Sequence, residues 1–175
     1  AIGGLKELRF MQDGDVRVNK FLLTDERIAL FKKNLLMLYT GKTRSASEIL
    51  ASQSKILSQN KVKRNVMQEM VNLVNSFRKE LTDGDINNLG EILHENWIRK
   101  ISITDSISNS WINDAYQVGL NNGAMGGKIL GAGNGGFFLF FAPPERHASI
   151  KSNLSSMKNF EFDFETKGSQ LVYKD

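Results

Sequence analysis

Hydrophobic and polar positions follow two different rhythms along the chain. Residues 5–10 and 16–23 carry the short period of strands and are joined by Gln12-Asp13-Gly14-Asp15, where Asp-Gly signals a hairpin turn. Thr24 stands where a cap belongs, and the acids and lysines that follow suit the two ends of a helix over 25–33. The compact apolar run 35–39, closed by Thr40-Gly41, has the profile of a buried strand. Ser45 and Glu48 have capping-box spacing and open a helix to about residue 59. Val62, Val66, Met70, Val74, Phe77 and Leu81 recur at steps of three and four, the stripe of a long amphipathic helix that Asp83-Gly84 breaks. Ile86, Leu89, Leu93 and Trp97 mark a third helix over 85–99. Ile107, Trp111, Ala115 and Val118 mark a fourth over 106–121.

The pattern then returns to strands. Residues 128–130 read as a strand, 131–136 as a loop and 137–141 as a central strand. Pro143-Pro144 opens a short helix. Phe160, Phe162 and Phe164 alternate with acids, which predicts a strand with one buried face, and Lys167-Gly168 turns it into a last strand over 170–173. Strands, a block of helices, then strands again make an α+β fold, a largely antiparallel sheet with helices segregated beside it.

Composition narrows the possibilities. The chain has 175 residues, with 41% hydrophobic and 24% charged, the balance of a folded globular protein. It has no cysteine, so disulfides and thiolate metal sites are excluded, and a reducing cytoplasm suits it. Two histidines alone make a zinc site a poor fit. The net charge of +4 is interleaved with acids and forms no dense stripe, which points to a mixed solvated surface rather than to nucleic acid. The apolar run 137–142 is too short to cross a bilayer. Ala1-Ile2-Gly3-Gly4 leads at once into strand sequence, which suggests a chain opened inside a fold.

The candidate chemistry lies in the glycines. Gly131, Gly133 and Gly136 spell the dinucleotide fingerprint, but strand sequence follows them where a helix N-terminus is required. Gly41-Lys42-Thr43 resembles the end of a phosphate-binding P-loop, yet Leu36 occupies the position that demands glycine. A glycine loop can still bring bare N–H groups onto an anion, and Asn134 tolerates the left-handed backbone this needs. It can equally be a plain glycine hairpin between buried strands.

The stretch GAMGGKILGAGNGGFFLFF, residues 123–141, resembles the third motif of the GHMP small-molecule kinases. LLMLYTGKTRSASEIL, LHENWIRKIS and the opening AIGGLKELRF are similar to the bacterial heptose 7-phosphate kinase branch. Asn134 departs from the pattern, where relatives often carry another glycine. The resemblance spans nearly the whole chain and implies the C-terminal domain of such a kinase, with a ferredoxin-like sheet and helices on one side. It divides the chain into 1–23, strands completing an N-terminal kinase domain, and 24–175, the C-terminal domain.

The activity implied is transfer of the γ-phosphoryl group of ATP, with Mg²⁺, to the anomeric hydroxyl of a heptose 7-phosphate for surface polysaccharide. Together with the composition, this makes a cytoplasmic enzyme with no membrane or nucleic-acid partner the expectation. Its catalytic Asp and its phosphate loop are expected upstream of Ala1, so these residues alone are expected to be inactive. Lys42, Thr43, Arg44 and Ser45 are candidates for the sugar phosphate, since arginine grips phosphate in two places. His94, Trp97 and Lys100 are candidates for lining the sugar site. Lys128, Gly131, Gly133, Asn134, Gly135 and Gly136 form the candidate active-site loop. No metal ligand is expected within the chain. Two alternatives remain open: a kinase for a galactose- or fucose-like sugar, and a non-catalytic ferredoxin-like binding module.

Overall fold

The computed structural model describes residues 2–43 and 45–173. An antiparallel hairpin opens the chain, with β1 (Lys6–Phe10) paired to β2 (Val16–Lys20). The expected second strand is three residues shorter than its apolar pattern, because Phe21 and Leu23 turn inward to pack on the core. Helix α1 (Asp25–Lys33) starts where Thr24 Oγ1 accepts the Arg27 N–H at 3.2 Å. The Arg27 guanidinium in turn donates to the carbonyls of Leu81 and Gly84, and so caps the end of a later helix.

Strand β3 (Leu35–Tyr39) leads through the 40–45 segment into α2 (Ala46–Gln59), α3 (Lys61–Thr82) and α4 (Asn88–Ile101). The capping box expected at Ser45 does not form. Ser45 occupies the cap position but its hydroxyl pairs with that of Ser47. A short 3-10 turn at Asp105–Ile107 precedes α5 (Ser110–Asn121), so the single helix expected over 106–121 is interrupted. Asn109 causes the break: it caps α5 by accepting the Ile112 N–H at 3.0 Å. Strands β4 (Gly126–Ile129) and β5 (Phe137–Phe141), helix α6 (His147–Asn153) and the brief β6 (Lys158–Asn159) follow.

The main sheet has the order β4-β5-β3-β6 and every pairing is antiparallel. This is an α+β fold, with the aromatic strand β5 central as its sequence predicts. Side chains alternate across the sheet. Leu36, Leu38, Ile129, Phe138 and Phe140 build one apolar cluster with Trp97, Ile112, Tyr116 and Ile150 from α4, α5 and α6. Leu35 and Phe141 point the other way, into a second cluster with Phe31, Leu81 and Leu89 from α1, α3 and α4. Helix α4 lies so close over β4 that the Gly126 position has no room for a side chain beside the Gly90 carbonyl.

The strands expected over 160–164 and 170–173 are absent. After Asn159 a single hydrogen bond, from Phe160 N to Met37 O at 3.0 Å, extends the pairing with β3. The backbone then leaves the sheet edge because Phe162 and Phe164 are drawn into the second cluster, where Phe164 stacks on Phe31. The alternation was real, but what it buried was a pair of rings against α1, not one face of a ladder. Residues 170–173 have no strand partner among the described residues.

Candidate functional site

The 131–136 loop joins β4 to β5, and its backbone is unusual throughout. Gly131, Gly133, Gly135 and Gly136 all have positive φ, and Asn134, at φ 57°, is the only non-glycine residue to do so among the described residues. Two separate segments strap this loop in place. From one side, Gly136 N donates to Lys42 O at 2.8 Å and Thr40 Oγ1 donates to Gly136 O at 2.8 Å. From the other, Asn134 N donates to Ile107 O at 2.7 Å and Asn109 Nδ2 donates to Asn134 Oδ1. The packing is close. A Cβ on Gly133 would lie 2.5 Å from Ile107 O, and one on Gly135 would lie 2.8 Å from Lys42 O. The glycines are therefore needed twice, for the left-handed backbone and for the approach of two other chain segments.

The loop therefore sits between the end of β3 and the start of α5. The N–H groups of Gly131, Ala132 and Gly135 donate to no protein acceptor among the described residues. Bare N–H groups in a loop rich in positive φ suit an anion such as a phosphate. Among the described residues no three His, Asp or Glu side chains come together. A magnesium ion would therefore depend on phosphate oxygens and on carboxylates outside this set.

The sequence candidates are distributed unevenly around the loop. Lys42 and Thr43 lie beside it and are exposed, with Lys42 Nζ 4.2 Å from the centre of the Trp111 ring. Ser45 is exposed at the start of α2. Arg44 lies outside the described residues. Lys100 reaches the loop directly, donating from Nζ to Gly131 O. Lys128 lies at the end of β4 and donates from Nζ to Asn96 Oδ1 at 3.0 Å.

Both ammonium groups are partly buried. Burial first, and then the nearby charge of Lys128, lower the Lys100 pKa to about 8. Burial likewise lowers that of Lys128. Neither lysine has an ion pair among the described residues.

Of the other two candidates, Trp97 is core and His94 is half-buried against a core ring. Trp97 is fully buried in the first cluster, so its ring presents no surface to a substrate; its spacing from His94 and Lys100 put it on a shared face, but that part of the face is core. His94 Nδ1 shares a 2.8 Å hydrogen bond with the Tyr116 hydroxyl, and the two rings stack. Burial pushes the Tyr116 phenol far above its ordinary range, so it remains a neutral partner.

Sequence reasoning missed Thr40, Asn96, Asn109 and Trp111. Each acts through a contact with a residue distant in the chain. Only Asn109 left a local signal, as a cap-type residue just before an apolar helix stripe.

Residues 77–158 match the family model of the GHMP kinases C-terminal domain. The chain is 26% identical over 169 residues to the D-glycero-alpha-D-manno-heptose 7-phosphate kinase of Campylobacter jejuni, covering 93% of this chain and 48% of that protein. The crystal structure of L. major mevalonate kinase superposes with a TM-score of 0.73 at 20% identity, over 97% of this chain and 51% of that one. The D-glycero-D-manno-heptose 1-phosphate kinase of Bacteroides thetaiotaomicron gives 0.69 at 20%, over 99% and 47%. The chain thus spans about half the length of these relatives. No described helix is long and apolar enough to cross a membrane. In fold, this chain is similar to the C-terminal half of solved GHMP kinases, and its residues 77–158 match the model of the GHMP kinases C-terminal domain.

Proposed function

We propose that the chain forms the C-terminal part of an ATP-dependent, cytoplasmic sugar kinase. In this reading it transfers the γ-phosphoryl group of ATP to the anomeric hydroxyl of a heptose 7-phosphate. The observation that carries the reading is the strapping of the 131–136 loop to the 40–43 segment, which brings a loop with bare N–H groups beside the segment that carries Lys42. The 26% identity to a heptose 7-phosphate kinase supports the choice of acceptor.

ATP supplies the phosphoryl donor, and the chain supplies positioning and charge, which dominate catalysis of phosphoryl transfer. Lys42, Thr43, Arg44 and Ser45 grip the phosphate that the sugar already carries. The glycine loop presents its N–H groups to phosphoryl oxygens. The catalytic base belongs to the part of the relatives that this chain does not cover. Residues 1–23 complete that other part, and 24–175 form the C-terminal domain.

The test is a coupled kinase assay with ATP, Mg²⁺ and heptose 7-phosphate. It is run on this chain and on a longer protein that also carries the other half. Transfer by the longer protein alone is the expected result. Transfer to galactose or fucose in place of the heptose phosphate replaces the acceptor. A folded longer protein that phosphorylates no sugar overturns the reading, and salt-sensitive RNA binding by this chain would favour a binding module.

A further inference from the structure

Lys100, Lys128 and Asn96 form a small constellation on the α4 side of the glycine loop. Asn96 and Lys100 are four residues apart on α4 and therefore share a face. Lys128 rises from β4 beneath that face, its Nζ held by Asn96 Oδ1 at 3.0 Å. Lys100 Nζ is held by Gly131 O. An ammonium group has three donors, and each lysine spends one on a neutral oxygen. Asn96 accepts through its oxygen, and its amide nitrogen donates to no acceptor among the described residues.

Two cations are thus kept partly out of water, close enough to repel, with no acid to balance them among the described residues. Such an arrangement is costly while empty and becomes favourable when an anion enters. Lys128 and Asn96 are the polar lining of a groove of about 220 Å³ between α3 and α4, whose other walls, Leu73, Val74, Phe77, Ile92 and Leu93, are apolar; Lys100 lies outside that lining, toward the glycine loop.

We infer that Lys100, Lys128 and the Asn96 amide make a subsite for a phosphate group, next to the glycine loop. The doubly charged phosphate of a monoester or of a nucleotide terminus matches two ammonium groups and one amide donor. Because Lys100 also holds Gly131 O, occupation of the subsite bears directly on the position of the loop. The subsite itself stands on the geometry of this chain. Only the identity of the arriving phosphate rests on the kinase reading.

The experiment is calorimetric titration of this chain with inorganic phosphate, with heptose 7-phosphate and with ADP, repeated on Lys100→Met and Lys128→Met. Each substitution is expected to weaken inorganic phosphate binding by at least about tenfold, the loss of one charge-assisted hydrogen bond. A matching loss for heptose 7-phosphate alone assigns the subsite to the sugar, and a loss for ADP alone assigns it to the nucleotide. Binding of all three ligands within about twofold of the parent, in variants with unchanged circular dichroism, overturns the inference.

If a variant fails to fold, the parent still decides the matter by NMR titration of its lysine Nζ groups. Phosphate must then raise the pKa of Lys100, and an unmoved value overturns the inference as well. The two proposals fail separately. Lysine-dependent phosphate binding without any sugar phosphorylation by the longer protein removes the kinase reading only. Phosphorylation with lysine-independent phosphate binding removes the subsite only.

Discussion

Single residues in the loop carry more than their own conformation. Gly133 has φ 116° and would set a Cβ 2.5 Å from Ile107 O. Gly133→Ala combines backbone strain with a clash against a carbonyl that Asn134 N already uses. A loss of about 1–3 kcal/mol in urea unfolding is expected, and an unchanged midpoint would show that the loop can shift without cost. Lys100 gives a second residue-scale expectation, in pH. Its folded pKa of about 8 lies below its ordinary 10.5, so the unfolded chain binds more protons between those values. The contribution of Lys100 to stability is therefore present above pH 10.5 and is lost as pH falls through 8. Urea midpoints should rise between pH 8 and 10, and more steeply in the parent than in Lys100→Met. Equal slopes in the two proteins would show that Lys100 titrates normally in the folded chain.

At the scale of elements, the site depends on what the ends of β3, β4 and α5 do to one another. Asn109 serves two elements at once, capping α5 and holding Asn134. Serine keeps the capping oxygen but is too short to reach Asn134, so Asn109→Ser separates the two roles. Overall stability should change by only a few tenths of a kcal/mol, while hydrogen exchange of the Asn134 and Gly136 amides, the two bonded ones in the loop, accelerates. Exchange as slow as in the parent would mean that the Asn109–Asn134 contact does not hold the loop. The same division explains which features the sequence could reveal. Helices α1 and α3, strands β3 and β5 and the loop itself are written in local periods and caps, and were legible. The straps are not: Thr40 to Gly136 and Asn109 to Asn134 join residues far apart in the chain, and no local period encodes them. Phe160, Phe162 and Phe164 misled for a related reason. Period-two burial marks a strand only where a partner strand is available, and here Phe31 was the partner.

At the scale of the whole molecule, the β1–β2 hairpin is the part whose burial is unfinished. Its register pairs Leu8 with Val18 and Phe10 with Val16, which puts all four side chains on one face. That face is open: Phe10 is 78% exposed, Leu8 and Val16 are each 49% exposed. The opposite face is anchored to the helices, where the buried Glu7 carboxylate pairs with Arg9 and with Arg78 of α3. A two-stranded ribbon is marginal alone, and an apolar face of this kind marks a surface that something covers. The proposed division of the chain names the cover, since residues 1–23 would complete the domain that lies in the other half of a longer protein. Hydrogen exchange of residues 6–20 should then be fast in this chain and markedly slower in the longer protein. A charge placed at the centre of the face, Val18→Lys, should leave the melting of this chain nearly unchanged, because Val18 is already partly in water. The same substitution should destabilise the longer protein by about 1–3 kcal/mol, as an unpaired buried charge does. If the longer protein tolerates lysine there as well as this chain does, the hairpin face is not an internal surface, and the boundary near residue 23 must be abandoned.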